Sequence, residues 1–261
     1  MKIVVCIKQV PDTDEVKIDE EKGTLIRKGV PSIINPEDRN ALEEAVKIKE
    51  ENGAEIVVIT MGPPQAKEAL REAYAIGADQ VILLSDVAFA GSDTWATAYT
   101  LSQAIKEIGN VDLILCGRQA IDGDTAQVGP QIAENLSLPQ LTYVKSLEIN
   151  NDKILVSRAI EDGSMELETK LPALVTILGS INQPRYPSIK RIIEIYNQDK
   201  IITWNKDDID LDEAKLGLDA SPTQVADTFV PTHEKKGEIY DSKTQSAVKL
   251  LVNNLKLEKV I

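Results

Sequence analysis

The residues best placed to do chemistry lie in one polar, glycine-bearing run: Gly117, Arg118, Gln119, Ala120, Ile121, Asp122, Gly123, Asp124, Thr125, Ala126, Gln127, Val128 and Gly129. The run follows the apolar segment DLILC and precedes a helical pattern, so it reads as the passage from a strand into a helix. Such a passage suits an anion. Gly123 lets the backbone approach a ligand closely and can take a positive φ. Thr125 can cap the helix and also offer its hydroxyl to a phosphate. The first N–H groups of the helix, around Ala126, Gln127 and Val128, lack partners inside it and carry partial positive charge. An ordinary loop, in which Asp124 or Thr125 only caps a helix, fits the same residues equally well. The run is not a GxGxxG fingerprint and has no Walker lysine. Asp122, Gly123 and Asp124 do not make a calcium loop, which needs more carboxylates and a distal bidentate glutamate.

A second run, SDTWAT at 92–97, places Thr94 and Thr97 at another helix start. It reads either as further ligand donors or as plain N-capping. Little else is supplied for catalysis. The one histidine, His233, sits in a polar stretch and reads as a surface residue with no nucleophile or acid paired to it. Cys6 and Cys116 lie in the apolar runs IVVCIK and LILCGR and read as two buried free thiols. Two cysteines without clustered histidines are not a zinc site. A bound cofactor would have to carry any demanding chemistry.

Charge narrows the ligands further. With 29 Lys and Arg against 42 Asp and Glu, the net charge is −13. Such a chain is repelled by nucleic acid and by anionic lipid. A nucleotide would be held by backbone N–H groups and helix N-termini rather than by a basic patch. The chain opens directly into MKIVVCIKQV, with no leader pattern, and no run approaches the length of a membrane span. A prokaryotic cytoplasm is the expected location.

The elements that must position these residues follow an alternating rhythm. Residues 2–7, 55–61, 81–84 and 112–116 are short apolar runs, as expected of strands buried on both faces. Between them, helical spacing appears over 36–51, 65–76, 93–108 and 125–136. Asn35, Pro36, Glu37 and Asp38 make a strong helix start, with Asn35 as the cap. A hairpin is expected over 16–18 and 24–27. From Leu141 the pattern turns antiparallel, over 142–149, 154–159 and 166–170, with an apolar return at 173–178. Past Asn182 the chain is polar and broken by prolines, with a last amphipathic helix expected over 243–257. A tail of that kind without a core of its own suits wrapping another subunit. The expected fold is α/β: a Rossmann-like parallel sheet flanked by helices, with an antiparallel extension and a C-terminal arm. The expected division is a nucleotide-binding domain over 1–190 and an extended arm and helix over 191–261.

Several segments in order resemble the β-subunit of electron-transfer flavoproteins, closest to the bifurcating type of anaerobic bacteria. They are VVCIKQVPD, SIINPED, VITMGPPQA, GADQVIL, FAGSDTWAT, CGRQAIDGDTAQVGPQIAE, LPALVT and NQPRYPSI. The resemblance implies a heterodimer with a flavin-carrying α-subunit. It places a nucleotide pocket at Cys6, the Asn35 loop, Met61 and the diphosphate loop from Asp122 to Gly129. It places docking of a partner dehydrogenase on the loop bearing Pro184, Arg185 and Tyr186, with Ile189 as the apolar anchor. The pocket of such subunits holds either a structural AMP or a second FAD. The stretches AIDGDTAQVGPQIAE and FAGSDTWAT favour FAD. That FAD would take hydride from NADH and send electrons to ferredoxin or flavodoxin and, through the α-subunit FAD, to an acyl-CoA or related dehydrogenase. One departure is Met165, where many relatives carry an acid or amide in a region facing the α-subunit. A compact nucleotide-sensing module of the universal-stress type shares the sheet-and-loop logic but not the tail.

Overall fold

The computed structural model describes residues 1–12, 17–18, 25–26, 31–226 and 245–260. Residues 1–226 form one compact unit and 227–261 a second. The first opens with β1 (Lys2–Cys6), β2 (Gln9–Pro11), β3 (Lys17–Ile18), β4 (Leu25–Ile26) and β5 (Ser32–Ile34). Then come α1 (Pro36–Asn52), β6 (Glu55–Met61), α2 (Lys67–Ile76), β7 (Gln80–Leu84), α3 (Thr94–Ile108), β8 (Leu113–Gly117) and α4 (Val128–Leu136). The antiparallel part is β9 (Gln140–Asn150), β10 (Lys153–Ile160) and β11 (Gly163–Lys170), and the chain returns through β12 (Ala173–Ile177), α5 (Ile189–Asn197), β13 (Ile201–Trp204) and α6 (Gly217–Ala220). Within the second unit, α7 (Gln245–Leu257) carries the exposed apolar residues Val248, Leu250, Leu251 and Leu257.

Nine strands make one sheet in the order β11-β10-β9-β12-β8-β1-β6-β7-β13. From β9 to β13 across the sheet every pairing is parallel, while β10 runs antiparallel to both β9 and β11. The central strands are continuous runs of Ile, Val and Leu because helices cover both faces. Leu42, Ala45, Leu70 and Ala73 of α1 and α2 pack on one face with Ile3, Val5, Ile56 and Val58. Leu101, Ala104, Ile105, Ile132 and Ala133 of α3 and α4 pack on the other with Val4, Val57, Ile82 and Ile114. From β1 the chain crosses to β6 on one side, and it later returns to β8 on the other. The order therefore reverses between β1 and β8, and a crevice opens beyond their carboxyl ends.

Residues 191–226, placed with the arm in the expected division, lie in the first compact unit. Ile201 to Trp204 extend the sheet in parallel beside β7, and Ile209 and Leu216 are buried against α3. The strand is only four residues long and Ile209 and Leu216 stand singly in a polar stretch, so no sequence pattern announces them. The helix after the long loop begins at Val128 rather than Thr125. Ala126 takes a left-handed φ of 54°, which a helix cannot continue through, and Pro130 then falls in the first turn, where its missing N–H costs nothing. The hairpin keeps its pairing, with Lys17 opposite Ile26 and Ile18 opposite Leu25, and its expected turn lies outside the described residues. His233 and the first residues of the expected last helix also lie outside them.

Candidate functional site

A cavity of about 840 Å³ occupies the crevice. Its floor is apolar: Cys6, Ile7, Met61, Phe89, Leu101 and Cys116. Its rim is polar and is built from 85–94 on one side and 117–129 on the other. Of the residues singled out in the sequence, Cys6, Met61, Thr94, Thr97, Gly123, Asp124, Thr125, Ala126, Gln127, Val128 and Gly129 all line it. Cys6 and Cys116 are buried, free and opposite one another in register on β1 and β8. A hydrogen bond with Cys6, and then burial, pushes the Cys116 thiol well up, so it is a packed thiol rather than a nucleophile.

The N-terminus of α1 holds the 117–122 loop. Asn35 is fully buried and makes no side-chain cap; its Nδ2 donates to Gln119 O at 2.8 Å and its Oδ1 accepts the Ile121 N–H at 3.1 Å. It therefore stands behind the loop rather than in the cavity, because the loop's own unpaired backbone groups take its amide. Glu37 accepts the Gln119 N–H at 3.2 Å and Arg118 Nε at 3.3 Å. Asp38 accepts the Lys8 N–H at 2.8 Å through Oδ2 and the Gly117 N–H at 3.0 Å through Oδ1. Burial pushes the Asp38 carboxyl up to about 7, against the lowering effect of the Asn35 side chain and of the two backbone N–H groups. Asp122 is drawn out of the cavity by Lys8, whose Nζ lies 2.7 Å from Oδ2.

Gly123 does not take the positive φ expected of it. The left-handed residues are Asp124, at φ 50°, and Ala126, at φ 54°. A Cβ on Gly123 would meet nothing within 4 Å. Gly129 is the glycine that packing requires: a Cβ there would lie 2.7 Å from Thr176 Cγ2 on β12. It lets the first turn of α4 sit directly on the sheet.

Four helix N-termini lie at this end of the sheet, and they differ in what occupies them. That of α2 follows the short turn Pro64–Ala66 and carries Glu68 in its first turn. That of α1 carries Glu37 and Asp38 of its own. That of α3 is capped by Asp93, whose Oδ1 accepts the N–H groups of Trp95 and Ala96 at 2.9 and 3.1 Å. That of α4 has no side-chain cap and no acid in its first turn. Of these four, α4 alone has neither a side-chain cap nor an acid, so it presents open N–H groups and uncompensated positive dipole to the cavity. Thr125 does not cap it. The Thr94 hydroxyl reaches across to Gln127 Oε1 at 3.2 Å, joining the two rims.

The chain is similar to known proteins along its whole length. An electron transfer flavoprotein domain matches residues 22–208. The electron transfer flavoprotein subunit beta of Thermoanaerobacterium thermosaccharolyticum is 55% identical over 261 residues, covering both chains in full. The caffeyl-CoA reductase-Etf complex subunit CarD of Acetobacterium woodii is 53% identical, and the acryloyl-CoA reductase electron transfer subunit gamma of Anaerotignum propionicum is 43% identical, each again over both full lengths.

The chain belongs to the electron-transfer flavoprotein β-subunit family.

Within this β-subunit, the segment expected to dock a dehydrogenase divides into anchor and display. Asn182 donates to Glu44 Oε2 at 2.9 Å and exchanges hydrogen bonds with Asn40. Arg185 is held on α1 by Glu43, Nε to Oε2 at 2.9 Å, and by Glu50 at 2.5 Å. Its guanidinium is committed within the chain, so Arg185 positions the loop, and Pro184 beside it is half-buried. Tyr186 is 93% exposed and Ile189 75% exposed. Ile193 and Tyr196 continue the Ile189 stripe along α5 at helical spacing, both exposed. Met165 is exposed on β11 opposite Arg158. Lys8 was not singled out in the sequence, and Asp38, Asp93 and Cys116 were read there only as a helix-start acid, a cap and a buried thiol, although each helps build the site. An acid in a first helical turn reads the same whether it serves the dipole or a distant loop. No helix among the described residues is long and apolar enough to cross a membrane.

Proposed function

We propose that the chain is the β-subunit of a cytoplasmic heterodimeric electron-transfer flavoprotein and that its cavity binds FAD. The observation that carries this reading is the open N-terminus of α4 above an apolar cavity of about 840 Å³. That volume lies toward the upper end of the range for small-molecule and cofactor sites. The N–H groups of Val128 and Gly129 are suited to the diphosphate, and the acidic chain offers no basic patch to compete with them. Ile7, Met61, Phe89 and Leu101 would exclude water from the ring system. Lys8 and Arg118 stay at the rim, each paired with a carboxylate, Asp122 and Glu37. The chemistry such a flavin supplies when bound is hydride acceptance from NADH and onward electron transfer to ferredoxin or flavodoxin and, by way of the α-subunit FAD, to an acyl-CoA or related dehydrogenase. Relatives named for caffeyl-CoA and acryloyl-CoA reductase systems support that partner class. The exposed face of Tyr186 and Ile189 is the docking face, and residues 227–261 are the arm that wraps the α-subunit.

A structural AMP is the second reading, since its phosphate suits the same α4 terminus. Chromatography of the nucleotides released by denaturing the purified αβ complex decides. Two FAD per heterodimer support the flavin reading; one FAD and one AMP overturn it.

A further inference from the structure

Two aspartates bracket the outer wall of the cavity, residues 86–94, and each is divided between the wall and the segment that follows β13. Asp86 accepts the Ala88 N–H at 2.9 Å with one oxygen and the Lys206 N–H at 3.2 Å with the other. Asp93 spends Oδ1 on capping α3. Its Oδ2 accepts the Thr223 N–H at 3.0 Å and the Thr223 hydroxyl at 2.8 Å. The Asp93 N–H donates to Ser221 Oγ at 2.8 Å, and that hydroxyl donates to Gly217 O at 2.8 Å. The Leu218 N–H donates to Ala90 O at 3.1 Å.

The contact is tight as well as polar. A Cβ on Gly217 would lie 2.4 Å from Ala88 O, and one on Gly91 would lie 2.9 Å from Leu218 Cβ. The wall contains only one short 3₁₀ turn, Val87–Phe89, so contacts rather than internal structure fix its position. Ala90, Gly91, Ser92 and Asp93 face the cavity, whereas residues 217–223 do not. They hold the wall from behind.

We propose that residues 217–223 are a strap that sets how firmly the cavity retains its nucleotide and couples that retention to subunit assembly, with Ser221 and Thr223 as positioning residues. The inference rests on the reading of the cavity as a nucleotide site and of the arm as the α-subunit's partner. The coupling follows from connectivity: the strap leads directly into residue 227, where the second unit begins. Docking of the arm on the α-subunit disfavours peeling of the strap, so the wall stays closed on the ligand. By linkage, a bound nucleotide must then strengthen assembly by the same factor.

The test uses the full-length chain, alone and in the αβ complex, with Thr223→Val and, as a second variant, Ser221→Ala. The dissociation rates of bound FAD and of bound AMP are measured in both forms. Assembly is expected to slow release severalfold in the parent. Thr223→Val is expected to release nucleotide roughly tenfold faster, the effect of losing one hydrogen bond to a charged group, and to lose most of the slowing on assembly. Release at the parent rate by both variants, or undiminished slowing on assembly, overturns the strap and leaves the nucleotide site standing. A parent chain that binds neither FAD nor AMP overturns the underlying reading and the strap with it.

Discussion

The carboxylate of Asp38 accepts the Gly117 N–H at 3.0 Å, at a point where Gly117 has no room for a side chain. A Cβ on Gly117 would lie 2.3 Å from the same Asp38 oxygen and 2.8 Å from the Asp38 nitrogen. The last residue of β8 thus passes against the first turn of α1, and this close approach forms the back of the cavity. The glycine is needed for contact, not for conformation, since its φ is not in the left-handed region.

Gly117→Ala should therefore cost about 3 kcal/mol, the range for overpacking a site walled by backbone. Denaturant unfolding of the isolated chain measures it. A change of a few tenths would mean that α1 can shift aside freely and that this close approach does not fix the back of the cavity.

Asp38 also makes stability depend on pH. Its carboxyl rises from 3.8 to about 7 on folding, chiefly through burial. Between these values the folded chain keeps a proton that the unfolded chain has lost. The contribution is fully present below the unfolded value and disappears as pH rises through about 7. A shift of that size corresponds to about 4 kcal/mol. The unfolding free energy of the parent should fall relative to Asp38→Asn between about pH 4 and pH 8 and stay level above that. A difference that is flat across this window would show that the two backbone N–H groups keep the carboxylate ionised.

The parallel sheet was legible because IVVC, EIVVITM and DLILC are apolar runs too short for helices and lie between helical stretches. The loop at 117–129 was legible because glycines and polar residues follow such a run at the carboxyl end of the sheet. Its internal geometry was not. Composition points to Gly123 for the left-handed turn, but Asp124 and Ala126 make it. Pro130 was the one available sign that the helix starts late. The roles of Asn35 and Asp93 were hidden for a different reason. Both look like ordinary caps, and their decisive partners, Ile121 and Thr223, are far away in the chain. The strand at 201–204 was hidden because four residues flanked by charge carry no period.

Gly123 and Gly129 separate charge from packing. Gly123→Asp adds a side chain into open space, so unfolding should change by less than about 0.5 kcal/mol. The new carboxylate stands on the cavity rim near the open end of α4 and should weaken nucleotide retention about tenfold, or about 1.4 kcal/mol, while sparing the α-subunit flavin. Gly129→Ala meets Thr176 and should lower both stability, by about 1–3 kcal/mol, and retention. Flavin stoichiometry and thermal melting of the two complexes distinguish these outcomes. Unchanged flavin content in Gly123→Asp would remove the loop from the binding site.

The division of the 182–196 segment into anchor and display makes the last prediction. Ile189 is 75% exposed, so Ile189→Asp should leave folding intact. It places a desolvation cost at the leading end of the Ile189, Ile193 and Tyr196 stripe, where a docked apolar partner would exclude water. Electron transfer to the partner dehydrogenase should slow at least tenfold, while NADH oxidation with an artificial acceptor stays at the parent rate. Arg185→Ala should act less selectively. Removing it leaves Glu43, only 5% exposed, without its cation and held by the backbone N–H of residue 185, and the loop base should loosen with a loss of about 2–4 kcal/mol. Both activities are to be measured for both variants in the αβ complex. Equal loss of the two activities in Ile189→Asp would mean that the stripe supports the cavity rather than a partner.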